Sequence, residues 1–406
     1  MALRSNEPLT PEKQLLICCA RTKITSSVAE EMRGLVGSPL DWDLLIREAM
    51  NQALTPLLCR HLPAVASDLL AQQCLEQLAD TGRALAIRSL ALTGELFTIL
   101  NEFQSRGVPV VSYKGPVLAA QAYGDIALRE FEDLDMILRQ RDMAKASEVM
   151  VNLGYRPKFP WALSATASRS FTPAEYGYRN DARLMMVELH SERTLRHFPL
   201  PAQIDDFMSR LVTIFVAGQA LQTFSPEDTL LLLSIHGSKH FWSQLSWIAD
   251  IAEFVHLHPQ LDWQQVSARA RAMRSNRMLT VSLALALRFF APPLPPDVLR
   301  RVESDSEAKL IAGHIENQLL SDRPREPGAI ARFHLRRHML EGWLEGWRYA
   351  ARLATSPSED DWSAMRLPAL LAPLHSVLRP LRLLRKYPRP PADPSHGSIA
   401  AKKASN

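Results

Sequence analysis

Along the first hundred residues, apolar positions recur at helical spacing. Trp42, Leu45, Ile46, Ala49 and Met50 fall on one stripe, and residues 85–100 read as a long apolar-rich helix. The period then changes. Residues 108–113 predict a buried strand, 134–138 a second strand, 143–153 a helix and 185–190 a further strand, so residues 101–200 alternate strand and helix. From residue 203 to about residue 350 the helical period returns, with predicted helices at 230–240, 245–256, 266–273 and 279–290. The run Pro292-Pro293-Leu294-Pro295-Pro296 interrupts them before a later helical section. The pattern predicts an α+β chain: a helical region over 1–100, a small mixed-sheet core over 101–200 and a helical domain over 201–350. A basic helical extension over 351–387 and a disordered tail over 388–406 follow.

The chemistry-bearing residues lie in the alternating section. In Phe131-Glu132-Asp133-Leu134-Asp135-Met136-Ile137-Leu138, period-two alternation puts Asp133 and Asp135 on one face and Leu134, Met136 and Leu138 on the other. Two carboxylates side by side repel each other unless a hard divalent cation such as Mg²⁺ offsets them, and that ion also grips phosphate oxygens. A bare Asp-x-Asp is more often a solvated strand edge. The context here is richer: the preceding strand exits through Lys114-Gly115, and Pro116 opens a short helix to residue 123. Glycine at such an exit lets backbone N–H groups approach a phosphate. A site that binds two ions needs a further carboxylate. Glu188, in Leu184-Met185-Met186-Val187-Glu188-Leu189-His190, shares a face with Met186 and His190, although a lone acid in an apolar strand can also mark an edge.

A second constellation is His236 and His240, four apart on a helix for which Ser225 is the expected N-cap and Pro226 the first residue. Histidines at that spacing share a face and suit zinc, with Asp250 as a third ligand, but Gly237 stands where a metalloprotease-type motif has Glu. The other readings are a helix face lending His236, Lys239 and His240 to a nucleotide or acceptor pocket, or simple packing. Asp250 is either an acceptor-activating base or a structural partner of the histidines.

Together these runs resemble the nucleotidyltransferase (polymerase β-like) superfamily, and more specifically an uncharacterised bacterial nucleotidyltransferase family. That family has a Lys-Gly turn, a downstream Arg, an Asp-Leu-Asp strand and an acidic residue followed by Leu-His, which here are Lys114-Gly115, Arg129, Asp133-Leu134-Asp135 and Glu188-Leu189-His190. The resemblance runs on through Pro226-Glu227-Asp228, His236-Gly237-Ser238-Lys239-His240-Phe241-Trp242 and Leu245-Ser246-Trp247-Ile248-Ala249-Asp250, and covers about residues 40–260. It implies a nucleotidyltransferase core that moves a nucleoside monophosphate from an NTP, ATP among them, to an unknown acceptor with release of pyrophosphate. The acceptor class stays open among small molecules, glycans, proteins and RNA. Asp133, Asp135 and Glu188 would be the catalytic residues and the ligands of two Mg²⁺ ions, with Mn²⁺ as a substitute. Lys114, Gly115 and Arg129 would hold the triphosphate, and His190, His236, Lys239, His240 and Asp250 would line the acceptor side. Two departures stand out: Pro116 replaces the superfamily's Ser or Gly after Gly115, and the interval from Gly115 to Asp133 is longer than usual. They keep in play an inactive nucleotide-binding or scaffold module of the same fold. A toxin–antitoxin-like enzyme acting on RNA or protein is a third reading.

Composition adds bounds. With 406 residues and 47% hydrophobic content, the chain can bury more than one core. A net charge of +4 is too small to argue for nucleic acid, although Arg379, Arg382, Arg385, Lys386, Arg389, Lys402 and Lys403 make the end of the chain basic. Residues 370–384 mix leucines and arginines, which fits weak membrane-surface contact or packing on the protein, and Pro373 and Pro380 interrupt them. Residues 1–12 carry no apolar signal segment, and no uninterrupted apolar run is long enough to span a bilayer. Cys18, Cys19, Cys59 and Cys74 follow no zinc-ribbon spacing. The expectation is a cytoplasmic protein with reduced thiols and no transmembrane segment.

Overall fold

The computed structural model describes residues 9–158, 175–191, 201, 203–321 and 329–342, and beyond these 344, 346–349, 351, 374, 377–379 and 382. The predicted extension over 351–387 lies largely, and the tail over 388–406 wholly, outside the described residues.

Helices α1 (Pro11–Cys19), α2 (Ser26–Val36), α3 (Trp42–Asn51) and α4 (Thr55–Ala66) lead in, as the apolar periodicity predicts. Thr10, Thr25 and Asp41 start the first three by accepting the N–H of Lys13, Val28 and Leu44. Helix α5 (Gln72–Ser105) then runs for 34 residues, longer than the predicted 85–100. One 18-residue window of it has a mean hydropathy of 1.2, enough by length and composition to cross a membrane. No uninterrupted apolar run foretold this, because charged residues such as Arg83, Arg88 and Glu95 punctuate the helix. Its inner stripe of Leu92, Leu96, Ile99 and Phe103 is buried against the sheet, and Glu95 accepts hydrogen bonds from the Tyr155 hydroxyl and the Arg183 guanidinium. That is how a core helix packs.

The sheet comprises β1 (Val110–Ser112), β2 (Asp133–Leu138), β3 (Arg156–Pro157), β4 (Glu175–Asn180) and β5 (Met185–Ser191), in the order β1-β2-β5-β4-β3. Helices α6 (Pro116–Tyr123) and α7 (Met143–Asn152) connect its first strands. Among the described residues only the β2–β5 pairing is parallel, so the sheet is mixed, and in its register Asp135 lies opposite Glu188. Leu134, Met136, Val187 and Leu189 point to the other face and are buried with Phe103, Val149, Tyr155 and Tyr178. Strand β1 is shorter than predicted: Pro109 has no N–H to give, and the Val108 N–H turns back to Phe103 O.

The helical reading of 203–350 missed a β-hairpin. After short α8 (Ile204–Met208), strands β6 (Val212–Val216) and β7 (Gln219–Thr223) pair antiparallel through Ala217 and Gly218, whose φ angles of 48° and 80° are those of a type I′ turn. The Thr223 hydroxyl donates to Ser112 O at 2.8 Å, which moors the hairpin beside β1.

Helix α9 (Pro226–Lys239) starts as predicted, with Ser225 accepting the Asp228 N–H and Pro226 in the first turn. Helices α10 (Leu245–Leu257), α11 (Trp263–Ala272), α12 (Asn276–Phe289), α13 (Pro296–Ser304), α14 (Ser306–Leu320) and α15 (Ala329–His338) follow. They do not form a core of their own: Leu15, Met32, Leu45 and Leu58 share one hydrophobic cluster with Leu231, Trp242, Phe254 and Leu285. Gly237 is required where α9 meets the fully buried Trp242, because a Cβ there would lie 2.5 Å from the indole. Cys18, Cys19, Cys59 and Cys74 are free thiols, and burial pushes Cys18 and Cys59 up to about 11.

Candidate active site

The β1–α6 turn sets the floor of the site. Gly115 has φ 53° and ψ −128°, a conformation costly for any residue with a side chain, and a Cβ there would sit 3.3 Å from Asp133 O. Glycine therefore lets the turn press against the start of β2. The first amide of α6 is not open to phosphate, because the Val117 N–H donates to Lys114 O at 3.1 Å. The turn directs the Lys114 ammonium onto Asp135 Oδ1 at 3.2 Å and over the Tyr113 ring, 5.3 Å from its centroid.

His190 Nε2–H donates to the same Asp135 Oδ1 at 2.7 Å and lies 3.6 Å from Glu188 Oε2. Its Nδ1 is 3.8 Å from Glu175 Oε1, and Glu175 in turn pairs with Lys239 on α9. Ligand atoms of Asp135, Glu188 and His190 all lie within 4.8 Å of one another. Asp133, expected as a ligand with Asp135 and Glu188, lies two residues earlier on the same face, opposite Met186, outside that closest group.

The electrostatics divide the two aspartates. Burial would raise Asp135, but Lys114 and the His190 hydrogen bond outweigh it and hold the carboxyl well below its ordinary range. Burial, reinforced by the charges of Asp135 and Glu188, pushes Asp133 up to about 7. Glu188 is raised for the same reasons, burial first and then Asp135. Glu175 moves down, since Lys239 and His190 overcome its burial. A test follows for Asp133. Its folded value lies above the ordinary carboxyl value of 3.8, so its stabilising contribution is whole below that value and is lost as pH rises through about 7. The melting temperature of metal-free wild type, taken relative to Asp133→Asn, should therefore fall across that window, and Mg²⁺ should restore it at the alkaline end. A difference that stays flat with pH would contradict the assignment.

Above this floor opens a cavity of about 490 Å³, with the acidic face of β2 and β5 on one side and α9 and α10 on the other. His236, Lys239, His240 and Trp247 form the far wall. The two imidazoles are 4.7 Å apart, centroid to centroid, and lie 5.2 Å and 5.4 Å from the Trp247 ring. Burial, with Lys114 and the neighbouring His240, lowers His236 well below its ordinary value. Burial and Lys239 bring His240 down to about 4, so both rings are neutral near pH 7.

Asp250 corrects two expectations. It is neither a partner of the histidines nor open to an acceptor: it is 1% exposed, and both its oxygens are taken. Arg129 Nε and Nη2 donate to Oδ1 and Oδ2 at 2.9 Å and 3.0 Å, and the Tyr123 hydroxyl donates to Oδ1 at 2.9 Å. The zinc grouping of His236, His240 and Asp250 is therefore not formed. Arg129 lines the cavity, but the fork expected to grip phosphate is committed to Asp250. Glu175 and Trp247 were not singled out as site residues. The alternation of Glu175-Tyr176-Gly177-Tyr178 was the available signal for the first.

Residues 38–291 match the family described as uncharacterised nucleotidyltransferase. No curated protein matches. Among solved structures, the solution structure of the antibiotic-resistance factor ANT(2'')-Ia is 14% identical, with 45% of this chain and 90% of that one covered and a TM-score of 0.31. An antigenic nucleotidyltransferase-like protein from Paracoccidioides brasiliensis is also 14% identical, with 55% and 92% covered and a TM-score of 0.33. The family match takes in the Lys-Gly turn, the acidic β2–β5 face and the α9–α10 wall within a single span of more than half the chain, and the protein belongs to this nucleotidyltransferase family.

Proposed function

We propose that the protein is a Mg²⁺-dependent enzyme that transfers a nucleoside monophosphate from an NTP to an acceptor oxygen and releases pyrophosphate. The observation that carries the reading is the parallel β2–β5 register, which sets Asp135 against Glu188, with Asp133 on the same face, at the floor of a 490 Å³ cavity. The donor set fits a hard divalent cation: carboxylate oxygens predominate, and burial together with the repulsion among them already raises Asp133 and Glu188. When bound by Asp133, Asp135 and Glu188, the ion would supply positive charge to the α-phosphate and its leaving group.

The chain's own groups do the rest. Lys114 holds a fixed positive charge at the floor, where phosphate charge would gather. His190 helps lock the Asp135 carboxylate in place, and Glu175 with Lys239 ties that histidine to α9. Glu188, raised by burial and then by the charge of Asp135, is suited to accept the acceptor's proton as the acceptor oxygen bonds to the α-phosphorus and the bond to the β-phosphate oxygen breaks. The neutral His236–His240–Trp247 wall offers flat faces for a planar ring.

One observation favours the second reading, a nucleotide-binding module without turnover. Pro116 has no N–H and the Val117 N–H is already engaged, so the first turn of α6 lends little to a triphosphate. Incubation with each α-labelled NTP, Mg²⁺ and fractionated cell extract separates the two. Transfer of label with equal release of pyrophosphate is expected. NTP binding without either product would leave the binding module.

A further inference from the structure

We propose that Lys114 stands where a second divalent ion would stand, so that the site works with one ion and a built-in ammonium. The inference rests on the metal-dependent reading above and changes its stoichiometry. In a two-ion site the ions lie about 3.5–4 Å apart around the reacting oxygens. A carboxylate that bridges them must give one oxygen to each. Asp135, central on the acidic face, is the residue placed to bridge. Its Oδ1 already accepts from Lys114 Nζ at 3.2 Å and from His190 Nε2 at 2.7 Å. Only Oδ2 is left for an ion.

Lys114 is held firmly in that position. Its side chain is 12% exposed, its ammonium lies over the Tyr113 ring, and the Gly115 turn fixes the backbone that carries it. The Ser112 hydroxyl donates to Asp135 O at 3.3 Å and ties β1 to β2 just behind it. Swinging the ammonium away would break a buried ion pair, and the cation would have to find another partner. A divalent ion brought up beside it would meet the repulsion of a fixed positive charge.

Mn²⁺ reports the count directly. The full chain is equilibrated with Mn²⁺ and a saturating non-transferable NTP, the α,β-methylene analogues of ATP, GTP, CTP and UTP in turn. Bound metal is counted by dialysis, and its spin-resonance spectrum is recorded. Wild type and Lys114→Arg should each bind one ion per chain with the spectrum of an isolated Mn²⁺. Lys114→Met, which removes the charge at similar volume, should bind two ions whose spectra are coupled by their proximity. A coupled pair in wild type overturns the inference and leaves the proposed reaction standing. A single ion in a folded Lys114→Met, checked by circular dichroism, overturns it as well, and the wild-type count decides alone if that variant does not fold. Failure of wild type to bind any Mn²⁺ removes the inference together with the metal-dependent reading beneath it.

Discussion

Asp135→Asn is expected to lower nucleotide transfer by about two to three orders of magnitude, the scale for removing one preorganised charged group from a reacting centre. The side chain is nearly isosteric, so the fold should persist, but the amide cannot do what the carboxylate does. Oδ1 now satisfies both the Lys114 ammonium and the His190 Nε2–H. An amide has only one acceptor oxygen to serve those two donors, and the NH₂ in the other position offers a metal ion no lone pair. The negative charge that helps raise Asp133 and Glu188 would also vanish, so both should titrate nearer to ordinary carboxylates. Pyrophosphate release measures the rate, and Mn²⁺ affinity measured in parallel should weaken with it. A variant within tenfold of wild type on both would take Asp135 out of the chemistry.

Arg129→Met carries the largest expected effect on stability, a loss of about 3–5 kcal/mol, the usual result of stranding one member of a buried ion pair. Asp250 is buried on α10, and after the substitution only the Tyr123 hydroxyl would face its charge. The pair spans 121 positions of sequence and joins the segment after α6 to the helix that carries Trp247. Removing both charges in Arg129→Met/Asp250→Leu should recover much of the loss, since an apolar pair of similar volume leaves no orphaned charge. Denaturant melts of the singles and the double measure this cycle. Turnover adds a separate reading. Activity that returns with stability in the double variant makes Arg129 a strut, whereas activity that stays low in a well-folded double variant shows that the guanidinium's charge acts on the phosphates.

The acidic face was legible because it is local. Asp133, Asp135, Glu188 and His190 sit in short apolar strands whose period-two alternation declares which side chains travel together, and the structure puts them on one face. The α9 cap at Ser225-Pro226 was legible for a similar reason, since capping is settled within four residues. What escaped depends on pairing across distance. Nothing near Asp250 announces Arg129, and nothing near Lys239 announces Glu175. The β6–β7 hairpin escaped because its strands are five residues each and sit among helices. Ala217-Gly218 is a weak turn signal, for alanine seldom takes a positive φ. The division into flanking helical regions likewise came from where periodicity changes along the chain, which says nothing about which helices meet. Leu45 and Leu231 share one core across the interval that holds the sheet.

That shared core has a temporal side. When Leu15, Met32 and Leu45 leave the ribosome, the partners they will be buried with, Leu231, Trp242 and Phe254, have yet to be made. At about 5–20 residues per second, the wait from Leu45 to Leu231 is roughly 10 to 40 s. During it the leading helices have only one another, α5 and the β1–α6 segment to cover their apolar stripes. The same interval governs the cleft, whose rim includes Met50 and Ala53 from the early segment and whose far wall is α9 and α10. Until those late helices arrive, the carboxylates of β2 have a floor but no enclosure, and a nascent chain has no closed cleft in which to hold a nucleotide.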